Sequence, residues 1–303
     1  MKEETLPGLI IRAQSGFFTV QTERGSLTCR LRGRLKQGPC LGDIAAVGDR
    51  VQATRFADGS GMIESIEPRL RALVRLDPRP KGVYQQVILA NPDQVVFVFA
   101  CANPSPHPRM LDRFLVIAEK QGIPAVVVAN KLDLSSRAAA EVIFGYYPAL
   151  GYPVLYVSAK TGEGMEALRV QLAGKVSALS GPSGVGKSSL LNAIQPGLGL
   201  AVREIGEARD RGRHTTNVRQ LIPLGDGGYV ADTPGLRSLA LWDTEPEELD
   251  GYFPEIAPLV AACAFSDCSH RHEPGCAVRA AVEAGRVRME RYDSYLRLRS
   301  GEE

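Results

Sequence analysis

The sequence of 303 residues has no long hydrophobic run. Its longest unbroken apolar stretch, residues 95–102, is far shorter than the roughly 20 residues that a membrane-spanning helix needs. The first residues include acids where a secretory signal has a basic start, and no long apolar segment follows them. We therefore expect a cytoplasmic protein that is not associated with a membrane.

The chain also has little net charge and few cysteines. It carries 36 basic and 34 acidic residues, a net charge of +2 that neither requires nor excludes a nucleic-acid partner. An apolar content of 44% argues against a largely disordered chain. Of the six cysteines, three crowd into residues 263–276. In a reducing compartment, such a cluster favours a metal site over disulfides.

Three domains are predicted along the chain. Residues 1–70 contain five short stretches of alternating apolar and polar residues separated by turns, which predicts a small β-barrel. An OB-fold is favoured, and a small SH3-like barrel remains an alternative. A basic, proline-containing stretch over residues 69–81 is interpreted as a linker or domain boundary.

Residues 71–240 predict a central α/β domain, because buried strands alternate with helices. The strands are expected at 95–99, 125–129, 154–157 and 176–179, with helices at 108–121 and 163–172. This alternation indicates a parallel sheet covered on both faces. Residues 241–303 form a mainly helical C-terminal domain that holds the cysteine cluster and a helix over 277–298.

A phosphate-binding loop follows the strand at 176–179. The pattern G-x-x-x-x-G-K-[ST] is formed by Gly181, Pro182, Ser183, Gly184, Val185, Gly186, Lys187 and Ser188, and Ser189 continues into a helix. Backbone N–H groups of such a loop surround a β-phosphate, and the helix N-terminus adds a favourable dipole. We expect Lys187 to reach the β- and γ-phosphates and Ser188 to bind Mg²⁺.

A second phosphate motif, D-x-x-G, is formed by Asp232 and Gly235. It stands behind a short apolar strand. The aspartate can hold Mg²⁺ through water, and the glycine N–H can reach a γ-phosphate. Beside a phosphate-binding loop, this otherwise weak motif indicates a nucleoside triphosphate site.

Two further motifs predict guanine recognition. Asn130, Lys131 and Asp133 form N-K-x-D after one strand, and Ser158, Ala159 and Lys160 follow the next strand. An ionised aspartate only accepts hydrogen bonds, and guanine offers two adjacent donors that adenine lacks. Asp133 therefore argues against an ATPase or a kinase. Asn130 can tie its loop to the phosphate loop, the Lys131 stem can cover the base, and residues 158–160 can supply a backbone donor.

The order of these motifs is permuted. Ordinary GTPases run from the phosphate loop through D-x-x-G to N-K-x-D and S-A-K, whereas here the two base motifs come first. The same sheet can form if the chain is cut after D-x-x-G and the former ends are joined, which is tolerable where termini lie close together.

The cysteine cluster predicts one structural zinc ion. Cys263, Cys268 and Cys276 supply three thiolates, and His270 supplies an imidazole, which completes a tetrahedral set. His272 is an alternative ligand. A closed set of four protein ligands leaves no position open for catalysis.

Together these motifs, residues 211–216 (RGRHTT), residues 252–255 (YFPE) and the cysteine cluster resemble the RsgA (YjeQ/YloQ) family of circularly permuted GTPases over nearly the whole chain. The resemblance implies an OB domain, a permuted GTPase domain and a zinc domain. It also implies GTP hydrolysis stimulated by the 30S ribosomal subunit during late assembly, with GTP or GDP and Mg²⁺ bound.

The resemblance also bears on the first switch. A threonine at Thr215 or Thr216 is expected to complete Mg²⁺ coordination, although Asn217 leaves the register between them open. Position 236 is leucine, which cannot orient water as a glutamine does. The resemblance favours His214 as the catalytic imidazole, and the alternative is that His214 only structures the switch or contacts the ribosome.

Basic residues form two further clusters. One comprises Arg30, Arg32, Arg34 and Lys36, and the other comprises Arg286, Arg288, Arg291, Arg297 and Arg299. Acids lie between them, so a solvated surface explains them as well as nucleic-acid binding does. The resemblance favours contact with 16S rRNA by a monomer. The alternative function is a GTP-switched RNA-binding module with little intrinsic catalysis.

Overall fold

The structure, a computed structural model, describes residues 4–37, 42–79, 82–199, 219–232 and 244–302. Its N-terminal part is a five-stranded barrel. The strands are β1 (Glu4–Gln14), β2 (Phe17–Thr22), β3 (Gly25–Leu31), β4 (Arg50–Arg55) and β5 (Ser60–Ile66).

The barrel has OB-like topology. The strand order is β1-β2-β3-β5-β4, and β4 pairs back with β1 to close the sheet. Only the β3–β5 pair is parallel among these pairings. Alternate residues point inward, so that Ile10, Val20 and Ile63 are fully buried. The predicted OB-type barrel is therefore confirmed.

A β-hairpin follows the barrel, where the sequence predicted a linker. Strands β6 (Ala72–Arg79) and β7 (Gly82–Ala90) pair in antiparallel fashion. Leu73 and Leu89 lie opposite each other and are both buried. The interpretation as a linker was wrong. It rested on the arginines and prolines of this stretch and did not consider the apolar residues of β7, which pairs with β6.

The central domain is built on a mainly parallel sheet. Its order is β10-β9-β8-β11-β13-β12, and only β12, at one end of this order, runs antiparallel to its neighbour β13. The strands are β8 (Gln94–Ala100), β9 (Ala125–Asn130), β10 (Val154–Tyr156), β11 (Val176–Ser180), β12 (Arg219–Pro223) and β13 (Tyr229–Asp232).

Helices cover both faces of this sheet, as predicted. They are α1 (Pro108–Lys120), α2 (Arg137–Phe144), α3 (Met165–Leu172) and α4 (Lys187–Ile194). Every residue of β8 is buried. Phe97 packs against Phe114 of α1 on one face, with ring centroids 5.4 Å apart, whereas Val98 lies in the other core with Leu190 of α4. The continuous apolar run of β8 is explained by burial on two sides.

The barrel and the central sheet are joined edge to edge. Strand β1 pairs with β12 through Arg12 and Gln220 and through Ala13 and Arg219. This pairing makes one continuous sheet of 11 strands. The strand that follows residues 211–216 in sequence is therefore hydrogen-bonded to the barrel.

The C-terminal part is mainly helical. It contains a 3₁₀ segment (Pro246–Tyr252) and the helices α5 (Ala257–Val260), α6 (Ala277–Glu283) and α7 (Met289–Arg299). The prediction of one helix over 277–298 was wrong. The helix is broken at Gly285, which adopts a left-handed φ of 70°, and Arg288 is extended before α7 begins.

Within the described ranges, no helix is long and apolar enough to cross a membrane.

Candidate nucleotide site and metal centre

The nucleotide motifs lie at one edge of the central sheet. Strands β9, β10, β11 and β13 are parallel to one another or to their shared neighbours, so their carboxyl ends meet at the same edge. Ligands of open α/β sheets bind outside this edge. The N-K-x-D loop follows β9, residues 158–160 follow β10, the phosphate loop follows β11, and Asp232 ends β13.

Two glycines of the phosphate loop have no room for a side chain. A Cβ on Gly181 would lie 2.1 Å from the carbonyl oxygen of Val98, and Gly181 has a φ of 148°. A Cβ on Gly186 would lie 2.5 Å from Nδ2 of Asn130, and Gly186 has a φ of 92°. Both positions therefore require glycine, because backbone and base-motif atoms approach so closely.

Lys187 begins α4 and folds over the phosphate loop. Its ammonium donates hydrogen bonds to the carbonyl oxygens of Gly181 and Pro182, both at 2.8 Å. Ser188 and Ser189 follow in the first turn of α4. The cation and the helix N-terminus are thus presented on the side of the loop where phosphate groups can bind.

The Asn130 side chain connects three loops. It is buried, its Nδ2 donates to the carbonyl oxygen of Val185 at 2.8 Å, and its Oδ1 accepts from the N–H of Ala159 at 3.3 Å. These bonds fix the base motif, the phosphate loop and the loop after β10 relative to one another. They are the geometry expected of a site that binds a base and phosphates at once.

Asp133 is held by the neighbouring strand's loop. The hydroxyl of Ser158 donates to Oδ1 of Asp133 at 2.6 Å and accepts from the N–H of Thr161 at 3.2 Å. Ser158 is fully buried, whereas Asp133 is exposed. The carboxylate is therefore oriented while it faces solvent.

Lys131 adopts a left-handed conformation with a φ of 61°. Its ammonium donates to the carbonyl oxygen of Asn103 in the loop after β8. Partial burial lowers the pKa of Lys131, against the opposing charge of Asp133. Lys160 is exposed. The Lys131 stem is thus anchored at both ends beside Asp133.

Some predicted site residues lie outside the described residues, namely His214, Thr215, Thr216 and Gly235. Asp232 is described by its backbone, which pairs with Leu179 of β11.

The four predicted zinc ligands meet in the C-terminal part. The ligand atoms of Cys263, Cys268, His270 and Cys276 all lie within 4.8 Å of one another. Nδ1 of His270 is 3.5 Å from Sγ of Cys263 and 3.4 Å from Sγ of Cys276. A tetrahedral zinc ion with ordinary Zn–S and Zn–N bonds separates sulfur from nitrogen by about 3.5 Å. The donor set therefore fits zinc, and His272 is exposed instead.

Local structure positions these ligands. Cys276 caps the N-terminus of α6, where its Sγ accepts from the N–H of Arg279. The hydroxyl of Tyr292 on α7 donates to the carbonyl oxygen of His270. Glu273 accepts bonds from Ser269 and from the backbone N–H groups of Arg271 and His272. The bonds from the Ser269 hydroxyl and from the backbone lower the pKa of its carboxyl.

Two side-chain contacts were missed by sequence reasoning. Nε2 of the buried His270 lies 3.5 Å from Oδ2 of Asp250 and has no hydrogen-bond partner among the described residues. No motif links these two residues, because the 3₁₀ segment carrying Asp250 is brought in by folding.

The second missed contact corrects the reading of Arg291 as a basic surface residue. Arg291 is buried and forms ion pairs with Asp112 of α1 at 2.8 Å and with Glu255 at 2.7 Å. Burial opposes its charge, but the two carboxylates outweigh this effect and raise the pKa of Arg291. Two other members of the basic clusters, Arg32 and Arg34, are paired with Glu64.

Family models match most of the chain. The RsgA GTPase model matches residues 66–242, and the RsgA N-terminal domain model matches residues 7–63.

Similar proteins cover nearly the whole chain. A relative from Gemmatimonas aurantiaca, described as a small ribosomal subunit biogenesis GTPase, is 49% identical over 96% of each chain. A relative of the same description from Moorella thermoacetica is 44% identical over 96% of this chain and 95% of its own. The crystal structure of YjeQ from Thermotoga maritima matches with a TM-score of 0.79 and 38% identity over 99% of both chains. YloQ, a circularly permuted GTPase, matches with a TM-score of 0.76 and 34% identity over 99% of this chain and 95% of its own.

Proposed function

The chain belongs to the RsgA GTPase family, and from that premise we propose that it hydrolyses GTP in the service of small ribosomal subunit biogenesis. Hydrolysis of GTP to GDP and phosphate is the activity that the family implies. The finer proposal is that the protein binds the 30S subunit, assists its late maturation and is stimulated by it. The observation that carries the enzymatic part is the Asn130 side chain, which bonds the phosphate loop to the two base loops.

The proposed roles of the nucleotide-site residues follow from their chemistry. Lys187 neutralises charge on the β- and γ-phosphates, and Asp133 accepts two guanine hydrogen bonds. The hydroxyl of Ser188 and the Asp232 carboxylate are hard oxygen donors of the kind that Mg²⁺ prefers, and Thr216 or Thr215 would complete the set. When bound, Mg²⁺ would supply positive charge to the phosphate oxygens.

His214 is proposed to position the attacking water, because Leu236 cannot do so. His214→Ala should keep GTP and 30S binding but lose most of the stimulated hydrolysis. Single-turnover hydrolysis with saturating 30S subunits measures this loss. Stimulation of the variant to the wild-type level would assign water positioning to another group.

The C-terminal cluster is proposed to hold one structural zinc ion on Cys263, Cys268, His270 and Cys276. The support is the separation of His270 Nδ1 from the two sulfur atoms, which is that of a tetrahedral site. Zinc would crosslink the loops that precede α6. The three-domain division at about residues 70 and 240 is also our proposal.

The partner is proposed to be 16S rRNA within the 30S subunit, bound by a cytoplasmic monomer. The relatives' description as small-subunit biogenesis GTPases supports this partner. The deciding measurement is the GTP hydrolysis rate with added 30S, 50S or 70S particles. Stimulation by 30S subunits above that by the other particles is expected. Equal rates with and without every particle would contradict the proposal and favour a GTP-switched RNA-binding module.

A further inference from the structure

The cysteines of the C-terminal cluster differ in their access to solvent. Of the five cysteines that the structure describes, four are buried, namely Cys29, Cys101, Cys268 and Cys276. Cys263 alone in this set is half-buried. An oxidant dissolved in water therefore reaches one sulfur of the cluster more easily than the other two.

The chain around Cys263 gives its sulfur little cover. The four residues nearest to it in sequence, Ala261, Ala262, Ala264 and Phe265, are all exposed. Three of them carry only a methyl group as side chain. Solvent therefore lies along this whole stretch of the chain, and no bulky buried side chain next to Cys263 in sequence shields it.

A second sulfur lies close to that of Cys263. The N–H of Ala264 donates to the carbonyl oxygen of Gly275 at 3.2 Å, so the backbone at Cys263 runs beside the backbone at Cys276. The two sulfur atoms lie within 4.8 Å of each other. A disulfide between them needs a shift of less than about 3 Å. The backbone hydrogen bond favours Cys276 as the partner over Cys268, whose sulfur lies within the same distance.

We propose that Cys263 is a peroxide-reactive site whose oxidation releases zinc from the cluster. This inference rests on the proposed zinc centre and goes beyond it by assigning a chemical modification to one ligand. The thiolate of Cys263 attacks one oxygen of hydrogen peroxide, the O–O bond breaks, and a sulfenic acid and hydroxide form. The thiolate of Cys276 then attacks the sulfenic sulfur, which forms an S–S bond and expels a second hydroxide.

The consequence for the metal follows from the number of ligands. The two thiolates lose two electrons in all, which one peroxide takes up, and a disulfide offers no thiolate to a metal. Cys268 and His270 remain, and two ligands do not complete the tetrahedral set of a structural zinc site. The ion should leave, and the loops before α6 should lose their crosslink. A thiol reductant restores both thiolates, so the change is reversible.

The buried cysteines outside the cluster show why the reaction is selective. Burial raises the pKa of both Cys29 and Cys101 to about 11, so these thiols stay protonated and unreactive at neutral pH. A sulfur that binds zinc is a thiolate instead. Both the charge of the sulfur and its exposure to solvent therefore favour reaction at Cys263.

The test treats the zinc-loaded, full-length protein with excess hydrogen peroxide in the presence of a chromogenic chelator. The absorbance of the chelator complex should report the loss of about one zinc ion per chain. Dimedone traps sulfenic acid, and mass spectrometry should find its adduct first at Cys263. Peptide maps without reductant should then contain a disulfide between Cys263 and Cys276. Protein with chelator but no peroxide is the control and should keep its zinc.

Variants separate Cys263 from the other thiols. Cys263→His keeps four ligands but removes the oxidisable sulfur from the exposed position, so it should bind zinc and lose the release that peroxide causes. Cys101→Ser removes a buried thiol, and Cys40→Ser removes one that lies outside the described residues. Both controls should release zinc at the wild-type rate. If Cys263→His binds no zinc, the order of dimedone labelling in the wild type decides.

Two results would overturn the inference. The first is retention of zinc by the wild type after peroxide treatment, and the second is sulfenic acid that forms first at Cys268 or Cys276. A disulfide between Cys263 and Cys268 would contradict the assigned partner. Untreated protein that holds no zinc would contradict the proposed metal centre itself, and this inference with it.

Discussion

At the scale of single residues, the nucleotide site depends on side chains that bridge separate loops. Asp133 comes after β9, but the hydroxyl that orients it belongs to Ser158 after β10. Asn130 likewise bonds to the carbonyl of Val185 in the phosphate loop. The residues proposed to recognise guanine and to bind phosphate therefore form one hydrogen-bonded unit.

Exchanging Asp133 for asparagine should change the base preference. In Asp133→Asn, an amide donor faces the guanine donors, and we expect GTP affinity to fall by at least about a hundredfold. Xanthosine triphosphate carries a carbonyl in place of the guanine amine and should bind better than GTP. Competition binding with the two nucleotides measures this exchange.

The matched control is Glu163→Gln, which removes the same charge from an exposed position on the loop after β10. Its GTP affinity should match the wild type. If Asp133→Asn kept the wild-type preference for GTP over xanthosine triphosphate, another residue would have to read the base.

Asp250 should orient the imidazole of His270, which is the fourth ligand of the proposed zinc site. The ring of His270 presents Nδ1 to two sulfur atoms and Nε2 to Oδ2 of Asp250. Because such outer partners fix the ring and raise ligand basicity, Asp250→Asn should weaken zinc affinity about 10- to 100-fold. Competition with a chromogenic chelator measures the affinity.

Asp267→Asn removes an exposed carboxylate beside Cys268 and serves as the control. It should retain wild-type zinc affinity. A loss as large in Asp267→Asn as in Asp250→Asn would indicate a general charge effect and not orientation of His270.

The sequence predicted the site residues that belong to local motifs, because each motif requires a short run at the end of a strand. It could not predict partners that are distant in sequence. Asp250 and His270, or Arg291 and Asp112, carry no shared spacing, and only the fold brings them together. Arg291 was therefore grouped with surface arginines, although it is 2% exposed.

At the scale of elements, the strands with a clear apolar pattern, the OB-type barrel and the parallel central sheet were predicted correctly, and the β6–β7 hairpin was not. All five barrel strands and the central strands β8 to β11 occur where the sequence indicated them. The hairpin was missed because the two strands bury their apolar residues only when they pair with each other across the turn. The prediction of one continuous helix over 277–298 was wrong because Gly285 adopts a left-handed conformation, which ends the first helix despite the helical pattern on both sides.

Helix α7 packs on α1 through a buried ionic network. Arg291 pairs with Asp112 and Glu255, and Asp112 also accepts from the hydroxyls of Tyr147 and Ser294. Arg291→Met should destabilise the protein by about 3–5 kcal/mol, because two buried carboxylates lose their cation. Urea unfolding measures the change in free energy.

Arg297→Met, nearly two turns further along α7, is the matched control. Arg297 pairs with Asp293, and both side chains are more than two-fifths exposed, so its loss should cost less than about 1 kcal/mol. Equal destabilisation by the two variants would show that the network adds nothing beyond a surface ion pair.

At the scale of the whole molecule, the barrel and the C-terminal part each contact the central domain in a different way. The barrel joins through the β1–β12 pairing, which continues the sheet. The C-terminal part joins through α1, whose Val116 is fully buried in the C-terminal core with Phe253 and Tyr295. One face of α1 thus packs on the central sheet, whereas its Val116 and Asp112 contact residues of the C-terminal part.

This arrangement predicts how zinc removal should spread. The cluster residues Cys268 and Cys276 lie in the same core as Val116, so loss of the metal should loosen α7 and uncover part of α1. The phosphate loop and α4 pack in a different core, which contains Val98 and Leu190. Their amides should stay protected from exchange. Hydrogen exchange of chelator-treated protein should therefore rise in α1, α6 and α7 but not in β11 or α4.

GTP affinity should remain near that of the zinc-loaded protein, because none of the proposed nucleotide-binding loops that the structure describes belongs to the C-terminal core. Adding zinc back should restore protection in α1, and Cys268→Ser should reproduce the loosened state without chelator. Unchanged exchange in α1 after zinc loss would mean that its contact with the C-terminal core survives without the metal. Lost protection in α4 would mean that the C-terminal core and the core around α4 unfold together, although no described residue belongs to both.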